Sequence, residues 1–513
     1  MLIKRRKNYL LLLAAFFAFS CDDGVTQGDK PNIIIIYADD LGYGDLSCYG
    51  ATSVQTFHID KLAENGLRLL DAHSTASTCT PSRFSLLTGS YAFRNNAAIL
   101  PGDAPLLIRP NTPTLPRMLQ RSGYRTAVIG KWHLGLGDGV LNWNEEIKPG
   151  PLEVGFDYSF IIPATQDRVP TVFIENDRVA NLDPSDPIEV NYVDKVGNWP
   201  TGLERPDLLK FGADTQHSNT ITDSISRIGY MTGGESALWK DQEIAPTLIQ
   251  KVNTFITESK SQPFFLFFSF TDIHVPRDPH KMFKGKTAMG PRGDAILQMD
   301  WSVGELMNIL KEHHLEKNTL IIFTSDNGPV TDDGYVDYAE ELLGEHDPSG
   351  GFKGGKYSAH EAGTRMPTII YWYEKVQKGV SDALISQADL YASLAKLVGY
   401  PLQSNEAPDS YEMSDALLGK DKKGREDLLQ ESFTIGLREA NWKYIAAQTT
   451  EAPVWLKNKN VATGLSKQPQ LYNLENDSEE ENDLSSQLPE KVWAMQQRLE
   501  KMLSSPTRKG YKD

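Results

Sequence analysis

Five short apolar runs constrain this chain more than any other feature. "NIIIIYA" (32–38), "RTAVIG" (125–130), "PFFLFFSF" (263–270), "TLIIFTS" (319–325) and "PTIIYWY" (367–373) are mostly β-branched, leucine or aromatic residues. Runs this short, without regular polar alternation, read as strands buried on both faces of a sheet. Helical patterns lie between them. "TPTLPRMLQRSG" sets Leu115, Met118 and Leu119 on one face and stops at Gly123, and "DAILQMDWSVGELMNILKEHH" repeats apolar residues at helical spacing from Ile296 to Leu310. Strands alternating with helices predict an α/β fold: a large, mainly parallel central sheet with helices on both faces.

Residues 139–245 are rich in scattered Pro, Gly, Asn and Asp and read as a large loop-rich insertion over one end of the sheet. After about residue 420 the character changes. "NWKYIAA" and "QLYNL" suggest short antiparallel strands, and "PEKVWAMQQRLEKML" a closing amphipathic helix. The expected division is therefore a catalytic domain over 31–420 and a smaller C-terminal α+β subdomain over 421–513. The N-terminus places Lys4, Arg5, Arg6 and Lys7 before an apolar run from Tyr9 to Phe19, too short to span a bilayer. Residues 1–20 are expected to be a signal peptide. Ala18 and Ser20 are small enough for cleavage before Cys21, which is expected to be lipidated, with 21–30 as a polar tether. That predicts an exported lipoprotein of a Gram-negative bacterium, in the periplasm or on the outer-membrane surface, held to the membrane by its lipid alone.

The 513-residue chain carries a formal net charge of −16, and four of its positive charges lie in the leader. That balance argues against nucleic acid, which requires a basic surface. The chain has only three cysteines, Cys21, Cys48 and Cys79. With Cys21 acylated, Cys79 has Cys48 alone as a pairing candidate, so a disulfide framework does not explain it.

Each of four apolar runs is followed at once by polar groups that are costly without a role. These are Asp39 and Asp40, then Lys131 and His133, then Asp272 and His274, then Asp326 and Asn327. In open α/β sheets ligands gather beyond the carboxyl ends of the strands, so the pattern predicts one shared site. Its carboxylates and amide offer hard oxygen donors, which favour Ca²⁺ or Mg²⁺. Lysines, histidines and Arg83 beside such a cation suit a small oxyanion. Cys79 and Arg83, four residues apart, share a face if a helix begins here, and Pro81 is favourable in its first turn. The expected reaction is hydrolysis of a phosphate or sulfate ester; charge alone does not separate the two.

"CTPSRFSLLTG" (79–89) resembles the signature of the type I sulfatases of the alkaline-phosphatase superfamily, Cys-x-Pro-Ser-Arg followed by Leu-Thr-Gly. The likeness runs from "PNIIIIYADDLGYGDL" through "GKWHLG" and "SDNG" to "FKGGKYSAHEAGTRMP", and into "QLYNLENDSEEENDL". It implies that a maturation enzyme oxidises Cys79 to Cα-formylglycine (3-oxoalanine), whose hydrate attacks sulfur. It further implies that Asp39, Asp40, Asp326, Asn327 and modified Cys79 ligate Ca²⁺, ahead of Mg²⁺. Arg83 would hold the hydrate, Lys131 and Lys356 the sulfate oxygens, and His133 and His274 the protons. Ala362 stands where the family's Gly-Lys-x-x-x-x-Glu-Gly pattern puts its first following Gly, and Lys353 receives no catalytic role.

The resemblance is nearest to bacterial lipoprotein carbohydrate sulfatases, and implies a sulfated galactose-type sugar, with mucin-like glycans ahead of galactans or glycosaminoglycans. Asp167, Arg168, Arg277 and His346 are expected to rim the pocket, while His58, His217, His280 and His360 are assigned nothing. A phosphodiester or phosphonate monoester hydrolase of the same superfamily is the nearest alternative. A non-catalytic glycan-binding surface lipoprotein is the alternative from another class.

Overall fold

The structure, a computed structural model, describes residues 30–507. The expected leader, Cys21 and the tether as far as Asp29 lie outside the described residues. Among the described residues, no helix is long and apolar enough to cross a membrane.

All five apolar runs enter one ten-stranded sheet. Its centre is parallel, in the spatial order Thr319–Ser325, Asn32–Ala38, Phe264–Ser269, Arg125–Lys131, Tyr158–Ile162. Side chains alternate across it. Ile33, Ile35 and Tyr37 pack on one face with residues of the helices Cys79–Thr88, Leu115–Arg121 and Asp389–Leu397. Ile34 and Ile36 pack on the other, beneath Phe57–Asn65, Ile244–Ser259 and Gly290–Glu312. Each isoleucine, fully buried, stabilises the fold by roughly 1.5–3 kcal/mol, so neither face tolerates polar alternation. That is why these strands read as unbroken apolar runs.

Two features depart from the expected organisation. The run 367–373 forms Thr368–Tyr371, which lies antiparallel beside Thr319–Ser325. The chain leaves Thr319–Ser325 at its carboxyl end and stays there through residue 364, so it re-enters the sheet in the opposite direction. The second correction concerns 139–245. This stretch is not only an overlying insertion, because Tyr158–Ile162 is the fifth parallel strand and Ile174–Glu175 and Arg178–Val179 complete the sheet edge.

Beyond the central sheet, Asp427–Glu431, Ile435–Glu439, Trp442–Ile445 and Gln470–Asn473 form a separate antiparallel sheet. The helix Pro489–Ser504 covers it by packing Met495, Leu499 and Met502 against Leu437, Tyr444 and Leu471.

Candidate active site

The four strand-end motifs converge. The helix Cys79–Thr88 is buried along its whole length, begins at Cys79 and stops at Gly89, whose φ of 63° suits a residue without Cβ. One turn in, Arg83 donates from Nε and Nη2 to Asp326 Oδ2 at 3.1 and 2.7 Å, and from Nη1 to Ser269 Oγ. Lys131 Nζ donates to both oxygens of Asp39 at 2.7 Å, and Lys356 Nζ to Asp40 at 2.8 Å and Asp333 at 2.9 Å. Asp40 (φ 61°), His133 (φ 53°) and Tyr357 (φ 73°) all hold the left-handed backbone that side chains disfavour. Such conformations cost of order 1–3 kcal/mol each and cluster at functional sites.

The donor set fits a hard cation. Single ligand atoms of Asp39, Asp40, Cys79 and His274 lie within 4.8 Å of one another. Asp326 is tied to the same group through the Asp40 amide at 3.2 Å, and Asn327 Nδ2 donates to Asp40 at 2.8 Å. Asn327 Oδ1 is buried with no hydrogen-bond partner. Three buried carboxylates and one unpartnered amide oxygen form an oxygen-rich nest of the kind Ca²⁺ or Mg²⁺ occupies. The electrostatics agree. Burial, reinforced by Asp326 and Asp40, pushes the Asp39 carboxyl well above its ordinary range despite Lys131. Burial also raises Asp326, but Arg83 and Lys131 outweigh it and hold that carboxyl down.

The histidines are oriented by their second nitrogens. His274 Nδ1 donates to Val275 O at 2.6 Å, which leaves Nε2 facing Asp40 at 3.7 Å. Burial, with Lys356 beside it, lowers its pKa to about 4. His133 Nε2 donates to Leu100 O at 3.0 Å, and its Nδ1 is buried without a partner. Burial and Lys131 hold that imidazole neutral. Cys79 is a free, buried thiol, and burial pushes its pKa up to about 12 despite Lys131 and Lys356. A thiol so placed forms almost no thiolate at neutral pH and is a poor nucleophile as it stands.

Above these groups opens a cavity of about 300 Å³ whose lining includes Cys79, His133, His274 and Lys356. A larger groove of about 600 Å³ runs past Trp239 and Lys251, but none of the strand-end residues lines it. Asp167 and Arg168 line the smaller cavity. Arg277 and His346 do not, and their expected place at the rim is corrected. Arg277 spends its donors on Ile273 O, Val330 O and Asp337, bracing two loops. His346 Nε2 is held at 2.8 Å by Asp45, which also takes Arg292 at 2.7 Å.

Sequence reasoning missed His217, Asp333, Tyr357, Trp455 and Lys459, all of which line the cavity. His217 sits between Asp214 at 2.7 Å and Asp167 at 3.4 Å, and these carboxylates, against the effect of burial, raise its pKa. Lys459 pairs with Asp333 at 2.9 Å. Only Asp333 carried a signal, its closeness to "SDNG".

Asp272 follows its strand like the others yet does not line the cavity. It accepts only Gln298 Nε2, at 3.0 Å, and burial pushes its carboxyl to about 7. The folded state therefore prefers the protonated acid. Its contribution to stability is complete below about pH 4 and fades as pH rises toward 7. Asp272→Asn is expected to gain about 1–3 kcal/mol over the parent at pH 8 and almost nothing at pH 4. Urea unfolding at the two pH values measures the difference.

A sequence model described as Sulfatase matches residues 31–400. An N-acetylgalactosamine-6-O-sulfatase of Bacteroides thetaiotaomicron is 51% identical over 93% of this chain and 94% of its own length. Human arylsulfatase A is 32% identical over 82% of this chain and 73% of its own. Among solved structures, a Bacteroides thetaiotaomicron protein described with the metabolism of multiple glycosaminoglycans superposes with a TM-score of 0.91 at 50% identity, covering 93% of this chain and all 100% of that one. A sulfatase from Pseudoalteromonas sp. gives 0.67 at 28% identity, covering 94% and 92%. Together with the converged strand ends, these matches establish that the chain belongs to the sulfatase family, enzymes that hydrolyse sulfuric esters.

Proposed function

We propose that this protein is a carbohydrate O-sulfatase acting on 6-O-sulfated N-acetylgalactosamine, with Cys79 working as formylglycine beside Ca²⁺. The observation that carries the reading is Cys79 itself. It heads a helix beside Lys131, Lys356 and Arg83, yet its thiol is buried and pushed up to about 12. A residue placed at the centre of an oxyanion site but inert as a thiol is suited to work in a modified form. The 51% identity to an N-acetylgalactosamine-6-O-sulfatase supports the sugar, and the glycosaminoglycan setting of a neighbouring structure favours that source over mucin-like glycans.

Asp39, Asp40, Asp326 and Asn327 would hold the cation, which supplies positive charge against sulfate oxygens, while formylglycine supplies a hydrated aldehyde as nucleophile. The chain's own residues do the rest. Arg83, fixed by Asp326 and Ser269, keeps a guanidinium one helical turn from the reacting group. Lys131 and Lys356 present two ammonium groups to the sulfate and spread its growing negative charge. His274 Nε2 is the atom that protonates the leaving sugar oxygen. Its surroundings keep it neutral until an anionic ester beside it raises its proton affinity. His133, anchored through Nε2, has only Nδ1 left to accept the proton that releases sulfate. Asp167, Arg168 and His217 line the outer cavity, where they meet the hydroxyls of the sugar.

The test is a panel of defined substrates offered to matured protein. Sulfate release should be fastest from N-acetylgalactosamine 6-sulfate, ahead of galactose 6-sulfate and N-acetylglucosamine 6-sulfate. Faster turnover of an aryl phosphate diester than of every sulfate ester would make it a phosphoesterase, and no turnover of any ester would leave only glycan binding. Export and acylation of Cys21 belong to the same proposal, supported by the basic and apolar residues 4–19. Cys21→Ser should move the protein from the membrane to the soluble fraction.

A further inference from the structure

We propose that the C-terminal sheet is a positioning element for the reacting centre, acting through Glu361. The proposal rests on the reading of Lys356 as a sulfate-binding group. The helical turn Glu361–Thr364 is fully buried and touches three parts of the site through its backbone. Ala362 N donates to Lys353 O at 3.0 Å, closing the loop that carries Lys356. Gly363 O accepts Gly328 N at 3.0 Å, next to Asn327, and Thr364 O accepts Ser74 N at 2.8 Å, in the segment leading to Cys79. No room remains between these pieces, since a Cβ on Gly328 would lie 1.8 Å from Ala362 O.

What holds this turn in place comes largely from the C-terminal sheet. Glu361 accepts Arg438 at 2.7 Å, Lys443 at 3.0 Å and Gln430 at 3.1 Å, all on strands of that sheet, and Arg365 at 3.2 Å. Glu480 accepts the Glu361 amide at 2.7 Å and His360 Nδ1 at 3.0 Å, and its own carbonyl takes Lys353 Nζ at 2.7 Å. Asp71 completes the group by pairing with His73 at 2.8 Å and with Arg365 and Arg438 at 3.3 Å. Asp71, His73 and Glu361 lie close enough together to suggest a metal trio. Their oxygens are already engaged by Arg365, Arg438 and Lys443, so the cluster is a closed ion network instead.

A buried network of this kind is a weak way to gain stability, because desolvation offsets most of the attraction. It is a strong way to fix relative position, because moving one member leaves another buried charge unpaired. None of its members lines the reaction cavity, so any effect on turnover must pass through the placement of Lys356, of the 326–328 loop and of the segment 74–77 that leads to Cys79. Displacements near 1 Å in such groups cost about 100-fold in rate.

Arg438→Met and Glu480→Gln test the proposal, with Lys356→Met as a parallel control on matured enzyme. At a temperature where near-ultraviolet circular dichroism reports a folded protein, the two network variants should lose about 10–100-fold in kcat. KM should change by less than about threefold, since the sugar-facing residues are untouched. A purely structural network predicts the opposite signature, a lower Tm with normal kcat well below it. Folded variants that keep kcat within about twofold overturn the proposal. If Arg438→Met does not fold, the isosteric Glu480→Gln decides alone. Full activity in Lys356→Met would instead overturn the reading of the site on which the proposal rests.

Discussion

Cys79→Ala will remove sulfate release almost entirely, lowering kcat/KM by at least about 10⁴-fold, or roughly 5.5 kcal/mol of transition-state stabilisation. The substitution takes away the only group proposed to bond to sulfur, and no neighbour replaces it: Lys131, Lys356 and Arg83 are cationic and engaged by carboxylates. Stability should change little, by about 1 kcal/mol, because Cys79 is a small buried side chain without a disulfide. Mass spectrometry of the peptide around position 79 supplies the chemical half of the test. Active protein should carry an aldehyde oxygen where the sequence encodes a thiol. An unmodified thiol in fully active enzyme would sink the formylglycine reading and leave a buried group that is unreactive at about 12 to be explained some other way.

Arg83→Met should be nearly as damaging to activity and far more damaging to the fold. Arg83 is fully buried and stands against Asp326 at 2.7 Å and Asp39 at 3.8 Å. Removing one partner of a buried ion cluster leaves uncompensated charge and costs about 3–5 kcal/mol. The loss should be largest in chelator and smallest with Ca²⁺, because a bound cation neutralises the same carboxylates. The Ca²⁺-dependent rise in Tm should therefore be larger in the variant than in the parent. Turnover should still fall about 10³-fold in saturating Ca²⁺, since a cation does not reproduce a guanidinium beside the nucleophile. Thermal unfolding with and without Ca²⁺, together with kcat at saturation, measures both effects. Equal Tm shifts in parent and variant would separate Arg83 from the cation site.

Much of the inner site was legible because it is built from strand ends. A strand buried on both faces has no use for Asp39, Asp326 or Lys131, so a charged group immediately after such a run announces a ligand. The same logic overreached for Asp272, where the strand-end acid is simply buried against Gln298. It also failed in the loops. Arg277 and His346 carry suitable chemistry, but chain direction turns them into braces for Asp337 and Asp45. His217 and Lys459 enter the cavity from segments whose course no local pattern encodes.

The sequence by itself determined the layered α/β architecture, the convergence of four strand ends and the placement of Cys79 one turn before Arg83. The architecture and the Cys79–Arg83 spacing follow from hydrophobic period and short-range pattern, and the convergence from the rule that ligands gather beyond the carboxyl ends of the strands of an open α/β sheet. Only the tertiary structure decided which loop groups line the cavity, that run 367–373 returns antiparallel, and that Glu361 is gripped by the C-terminal sheet. Those outcomes depend on where chain segments hundreds of residues apart come to rest. Burial and charge pairing settle such contacts only when the whole core is assembled.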